Sequence, residues 1–200
     1  TDSETLAGLA QTFSVLGAAA MALPLARLTN RGGRRLALSA GLITGLIGSI
    51  IAITGGSTKN IYLMLLGSFL VGAASASGYQ ARFAAIDLAT EDNRAKQLSL
   101  VVWGSTIGAV TGPNLMEPSG RIAESFGLPS LVGPYIVSAV TLGLAVLVIY
   151  IFLRPDPYLT AHKDAHATGT EIKKSFKETF AYIKSHSAAH FAIYSIAIGH

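Results

Sequence analysis

A chain of 200 residues with 13% charged side chains, 50% hydrophobic ones, 21 glycines and a mean hydropathy of +0.49 lacks the polar surface of a soluble domain, where about a quarter of residues are charged. It fits an all-α membrane protein, because glycine is useful in lipid-embedded helices. Without cysteine there is no disulfide framework and no thiolate metal site; the net charge of +4 and pI near 9.4 come from basic residues in the connections, which points to orientation in a bilayer rather than to nucleic acid.

Residues 1–5 are polar, with Asp2 and Glu4. Five apolar stretches follow at 6–28, 36–54, 61–83, 98–116 and 131–153, each free of charge in its middle and long enough for a hydrocarbon core of roughly 30 Å. Five complete spanning helices are therefore expected. Residues 26–35 carry four arginines, Arg27, Arg31, Arg34 and Arg35, and are expected to form a tight cationic turn. Residues 55–60 read as a short Gly/Ser turn, and 117–130, with Pro118, Gly120 and Pro129, as a longer loop.

Alternating spans sort the basic residues by side. Arg27, Arg31, Arg34, Arg35, Arg82, Arg94, Lys96 and Arg154, with Lys163, Lys173, Lys174, Lys177 and Lys184, share one side; Lys59 and Arg121 lie on the other. This asymmetry predicts that residues 24–35, 88–97 and 154–187 are cytoplasmic and Thr1 is outside, in a multi-pass inner-membrane protein. A segment preceding Thr1 would then enter from the cytoplasm, implying one further span.

Residues 154–187 read as a cytoplasmic linker. Arg154-Pro155-Asp156-Pro157 ends the fifth stretch, since proline cannot continue a helix. Thr168 and Glu171 have capping-box spacing. Beyond them Ile172, Phe176, Phe180 and Ile183 share one helical face ringed by Lys173, Lys174, Lys177 and Lys184, which suits the inner membrane surface or docking on protein. A further apolar run begins near Ala188 and by His200 reaches only about 20 Å, short of a span. The expected organisation is a transmembrane bundle at 1–153, a linker at 154–187 and the start of a further span at 188–200, all within a longer protein.

Glycines recur at helical spacing. Gly104, Gly108 and Gly112 share one face of the fourth stretch, and Pro113 after them is expected to kink or end the helix. Gly67, Gly72, Ala74, Ser75 and Gly78 make a similar face in the third stretch, and Gly41, Gly45 and Gly48 in the second. Such faces serve either tight helix packing or the sliding of one domain on another.

No carboxylate lies mid-membrane in the five stretches, so they show no titratable coupling group. Polar residues able to line a cavity are Gln11, Ser14, Ser75, Tyr79, Gln80, Arg82 and Asn114, with Arg82 either a snorkelling helix-end charge or a gate. The pairs His162/His166 and His186/His190 have metal-compatible spacing on a helix but are too few for a histidine-box enzyme. No nucleophile–base arrangement or phosphate loop is apparent. No enzyme, cofactor or metal is expected.

The stretch Ala26 to Arg35, A-R-L-T-N-R-G-G-R-R, resembles the signature G-x-x-x-D-R-x-G-R-R after the second span of the major facilitator superfamily of secondary transporters. Arg31, Gly33, Arg34 and Arg35 match, with Ala26 in place of Gly and Asn30 in place of Asp. Gly108-x-x-x-Gly112-Pro113 resembles the fifth-span antiporter motif, whose upstream Gly is Ser99 and whose closing pair is Met116-Glu117 here. Ser68 stands nearest the family's fourth-span Arg. The resemblance implies that the five stretches are spans two to six of a helical bundle, that 154–187 joins two halves, and that the run from Ala188 opens the seventh span.

It also implies alternating access around a midplane site: an exporter of small, amphiphilic molecules, with protons as candidate coupling ion, lipid around it and a C-terminal half of the same protein as partner. Within that scheme Asn30, Arg31, Gly33, Arg34 and Arg35 form a conformational latch, with Asp87 pairing to Arg34 or Arg35 in one state. An exposed pair of that kind is worth at most about 1 kcal/mol; alternatively the arginines only set topology. Because Ser68, Asn30 and Met116-Glu117 depart from the pattern, a second reading is a non-transporting membrane scaffold or partner-binding subunit.

Overall fold

The computed structural model describes residues 2–87 and 89–161, together with 185 and 191. The first helix, α1 (Asp2–Ser57), would be about 84 Å long if straight, nearly three hydrocarbon cores. It is interrupted at Gly33, whose φ of 84° and ψ of 174° lie outside the helical region and in one that essentially only glycine occupies. Two arms result, 2–32 and 34–57. The expected ten-residue cationic turn is thus a single residue: helical geometry persists through Gly32 and resumes at Arg34. Nothing in Ala26 to Gly32 forces the backbone out of a helix, and one glycine in this conformation suffices to redirect the chain.

The next helix, α2 (Ile61–Ile86), is started by Asn60, whose side-chain oxygen accepts the amides of Tyr62 and Leu63. The third, α3 (Glu91–Ser125), follows Thr90 and carries Glu91 and Asp92 in its first turn, where they complement the helix dipole. A 3-10 turn (Ser130–Val132) leads into α4 (Gly133–Phe152), with Pro134 at its start, where a missing amide costs nothing.

Residues facing one another give the topology. Gly17 abuts Phe69 and Thr29 meets Gln80, so the first arm of α1 runs parallel to α2. Gly41 faces Ser77, Gly48 faces Leu70 and Gly55 faces Met64, so the second arm runs antiparallel to it. Gly56 meets Val132, Gly45 meets Leu142 and Arg35 meets Tyr150, which sets α4 antiparallel to the second arm. Residues near 33, 87 and 154 therefore share one end of the bundle, called the arginine end below. Helix α3 touches its neighbours mainly near its C-terminal end, where Ser119 and Gly120 abut Gly133.

The core is built mainly of small residues: Ala37, Ala52, Ala73, Ser49, Ser68 and Ser77 are each at most 2% exposed, with Leu25, Leu38, Leu42 and Val132 the larger side chains buried among them, while Leu144, Ile151 and Phe152 face outward at 57–76%. A soluble domain buries its large apolar side chains; here close backbone approach holds the helices and most large side chains remain for lipid. Ser49 and Ser68 donate to carbonyls one turn back, Gly45 O and Met64 O, which for Ser49 satisfies the hydroxyl without a partner helix.

Among the described residues three helices are long and apolar enough to cross a membrane: α1, α2 and α4. Of the five expected spans, α1 supplies two across its kink. The fourth falls short because α3 dilutes its apolar residues with Gly, Ser, Thr, Pro113 and Asn114. Pro113 does not end that helix, and the loop expected at 117–130 is helical through Ser125. Side-chain donors support the turns around the prolines, Asn114 Nδ2 to Val110 O at 2.7 Å and Ser119 Oγ to Met116 O at 2.8 Å, and Glu117 pairs with Arg121 one turn on. The expected capping box at Thr168, the amphipathic face from Ile172, both histidine pairs and the run from Ala188 lie outside the described residues.

Candidate functional site

The Gly33 kink opens the N-terminus of the second arm, whose first amides have no helical acceptor. Asp156, just past α4, fills that gap. Its Oδ2 accepts the Arg35 amide at 2.8 Å and its Oδ1 the Arg34 amide at 3.2 Å. The same carboxylate caps its own helical turn, accepting the amides of Tyr158 and Leu159 at 3.0 and 3.1 Å. One negative charge thus sits at two helix N-termini, each carrying a partial positive charge. Gly33 lies against this carboxylate so closely that a Cβ would collide with it.

The Arg34 side chain reaches across to α2. Its Nε donates to Asp87 Oδ2 at 2.8 Å and its terminal nitrogen to Oδ1 at 3.4 Å. The two side chains are 14% and 16% exposed, because the rings of Phe83 and Tyr158 flank the guanidinium at 5.7 and 5.6 Å. The pair is therefore better shielded from solvent than the sequence suggests, and its Coulomb energy is less screened than that of a surface pair. Asn30 accepts a hydrogen bond from the Tyr158 hydroxyl at 3.0 Å, so this uncharged stand-in for an acid is held by the segment after α4. Arg31 is exposed. The Arg35 guanidinium lies 4.2 Å above the Tyr150 ring and takes no part in the Asp87 pair.

Beside this cluster a cavity of about 660 Å³ runs between the first arm of α1 and α2. Gln11, Ser14, Ser75, Tyr79 and Gln80 line it among alanines, and Asn30, Arg34 and Tyr158 close its arginine end. Thr29 Oγ1 lies 3.1 Å from the Leu25 carbonyl and 3.2 Å from the Gln80 side-chain amide, fixing Gln80 on the wall. Arg82 and Asn114 do not line it: Arg82 stacks on Tyr79 at 5.7 Å and Asn114 bonds within α3. Gln11 and Ser14 also border a second cavity of about 850 Å³ at the opposite end, where buried Ser68 is hydrogen-bonded to Tyr135 on α4 at 2.9 Å. Ser68, standing where the family pattern has Arg, thus fastens α2 to α4.

The glycine faces divide. Those of α1 and α2 are packed, Gly48 against Gly67 and Gly72 against the Ser14 carbonyl, except at Gly78, whereas a methyl group added at Gly78, Gly104, Gly108 or Gly112 would meet nothing within 4 Å among the described residues. Sequence reasoning missed Asp156, Tyr158, Thr29 and Tyr150. The signal for Asp156 was present: an Asp followed by Pro157 is an N-cap with proline at the first helical position.

The sequence profile described as Major Facilitator Superfamily matches residues 1–199. An uncharacterized MFS-type transporter of Bacillus subtilis, YdeG, is 41% identical over 159 residues, covering 80% of this chain and 37% of the relative. A second from the same organism, YddS, is 37% identical over 171 residues, 86% and 39%. The riboflavin transporter RfnT of Brucella anthropi is 30% identical over 163 residues, 78% and 38%. The chain thus spans well under half the length of these relatives. No solved structure matches.

Proposed function

This chain belongs to the Major Facilitator Superfamily, and we propose that it forms part of an alternating-access carrier in which the arginine end latches one of two states. The observation that carries this reading is the Arg34–Asp87 pair, joined through the backbone to Asp156 at the Gly33 kink. That arrangement ties three segments, the second arm of α1, the end of α2 and the segment after α4, at one charged joint. A carrier interconverts between states that differ by a few kcal/mol, so a partly shielded pair made in one of them shifts their balance. In the other state Arg34 and Asp87 separate and each is solvated. A second helical bundle of the same protein completes the transport path.

The 660 Å³ cavity presents amides, hydroxyls and the aromatic residues Tyr79, Phe83 and Tyr158 with a single cation at its end, which suits a neutral, hydrogen-bonding small molecule. One relative is named a riboflavin transporter, and riboflavin, aromatic and rich in hydrogen-bonding groups, is the first compound to test. Export is the direction we assign, on the Gly108-x-x-x-Gly112-Pro113 pattern. The basic arginine end faces the cytoplasm of an inner membrane. Proton coupling requires a titratable group outside residues 6–153, whose spans hold no mid-membrane carboxylate.

The test is flux of riboflavin and related compounds in proteoliposomes, read together with spin-label distances across the arginine end. Asp87→Asn is expected to lower flux and move the distance distribution toward the separated state. Unchanged distances with unchanged flux would remove the latch from the scheme.

A further inference from the structure

We propose that Arg35 and Arg154, converging on the Tyr150 ring, form a binding site for the phosphate of an anionic phospholipid at the arginine end of the bundle. Arg35, in the first turn of the second arm, sets its guanidinium carbon 4.2 Å from the ring centroid, and Arg154, just past α4, sets its own at 5.6 Å from the same centroid. The ring attracts either cation, but two like charges on one ring repel. The nearest acid does not neutralise them in kind: Asp156 turns its carboxylate oxygens to four backbone amides. Among the described residues no carboxylate lies within 4.0 Å of either guanidinium. The Arg35 Nε is buried without a hydrogen-bond partner and out of a ligand's reach, so an acceptor meets this cation at its terminal nitrogens.

The surroundings identify that acceptor. Tyr150 is 56% exposed and Phe152 76%, and the most apolar stretch through α4 has no residue buried in the bundle. In a bilayer the ring and both cations then stand at the end of a spanning helix, at headgroup depth. Guanidinium groups hold phosphate oxygens in a forked geometry, and basic pockets between helices bind anionic headgroups. The exposed apolar face of α4 beside the cations is the surface that acyl chains cover. A phospholipid satisfies both halves of the site, whereas a free anion satisfies only one. This site uses the side chains of Arg35 and Arg154 rather than the Arg34–Asp87 pair and does not require that reading.

Delipidated protein in detergent, titrated with phosphatidylglycerol, with phosphatidylcholine and with inorganic phosphate in separate arms of a native mass spectrometry experiment, tests this. Replacing both arginines (Arg35→Gln with Arg154→Gln) is expected to weaken phosphatidylglycerol binding about thirty-fold, and Arg154→Gln alone about five-fold. Phosphatidylcholine binding is expected to be unaffected, and inorganic phosphate not to displace phosphatidylglycerol. Arg94→Gln with Lys96→Gln removes equal charge at the same end and is expected to leave the affinity unchanged. The exposed Arg154 keeps the test valid should the Arg35 variant fold poorly. Equal losses in the Arg94/Lys96 variant would reduce the site to diffuse charge. No loss in Arg154→Gln, or displacement by inorganic phosphate, would overturn it as well.

Discussion

Gly33 is the residue on which the arginine end turns. Its backbone conformation costs a residue with a side chain about 1–3 kcal/mol, and a Cβ there would also push Asp156 off the amides of Arg34 and Arg35. Gly33→Ala is therefore expected to destabilise the protein by about 2–4 kcal/mol, seen as a lower thermal midpoint by circular dichroism in detergent. Gly32→Ala is the control: that residue is helical, its Cβ would meet only the flexible Leu36 side chain, and the midpoint should hardly move. For Arg34 and Asp87, partial burial lifts the pair above the value of an exposed one. A double-mutant cycle with Arg34→Gln and Asp87→Asn is expected to give a coupling of about 1–3 kcal/mol, measured by chemical unfolding; a coupling below about 0.3 kcal/mol would return these residues to setting topology alone.

Between helices, the glycine faces make opposite predictions. Gly48 lies within reach of Gly67 and Leu70 across the α1–α2 contact, so Gly48→Ala is expected to cost about 1–3 kcal/mol by overpacking. The same change at Gly108, which faces open space among the described residues, is expected to be neutral or to stabilise by up to about 1 kcal/mol through helix propensity. Thermal unfolding of the two variants side by side separates these cases. If the α3 face serves a partner that moves during transport, Gly108→Leu should abolish flux while leaving the midpoint in place. Full flux in that variant would show that nothing needs to approach α3 closely there. The same helix shows why prolines misled the sequence reading: Pro113 and Pro118 remove amides, yet local side-chain donors and turns on either side hold the helix to Ser125.

At the scale of the whole molecule, the arginine end and the Lys59 end are opposite poles of one antiparallel bundle. Because the chain has no cysteine, single cysteines at Lys59 and Arg94 give a direct reading of sidedness. A membrane-impermeant maleimide applied to intact cells is expected to label Lys59→Cys and to reach Arg94→Cys only after permeabilisation. Labelling of both from outside would refute the assigned orientation.

Apolar length, charge-free middles and the placement of basic residues determined the helical membrane class, because each is a property of a span by itself against lipid and water. The A-R-L-T-N-R-G-G-R-R stretch likewise marked Arg34 and Gly33, and helix alternation placed Asp87 at the same end. The fold alone decided which arginine meets Asp87, that Asp156 caps the broken helix from over a hundred residues away, and that Gln80 lines a cavity while Arg82 and Asn114 do not. Those outcomes depend on the rotation of each helix about its axis and on which helices lie side by side. Small-residue contacts between helices set both, and no single stretch contains them.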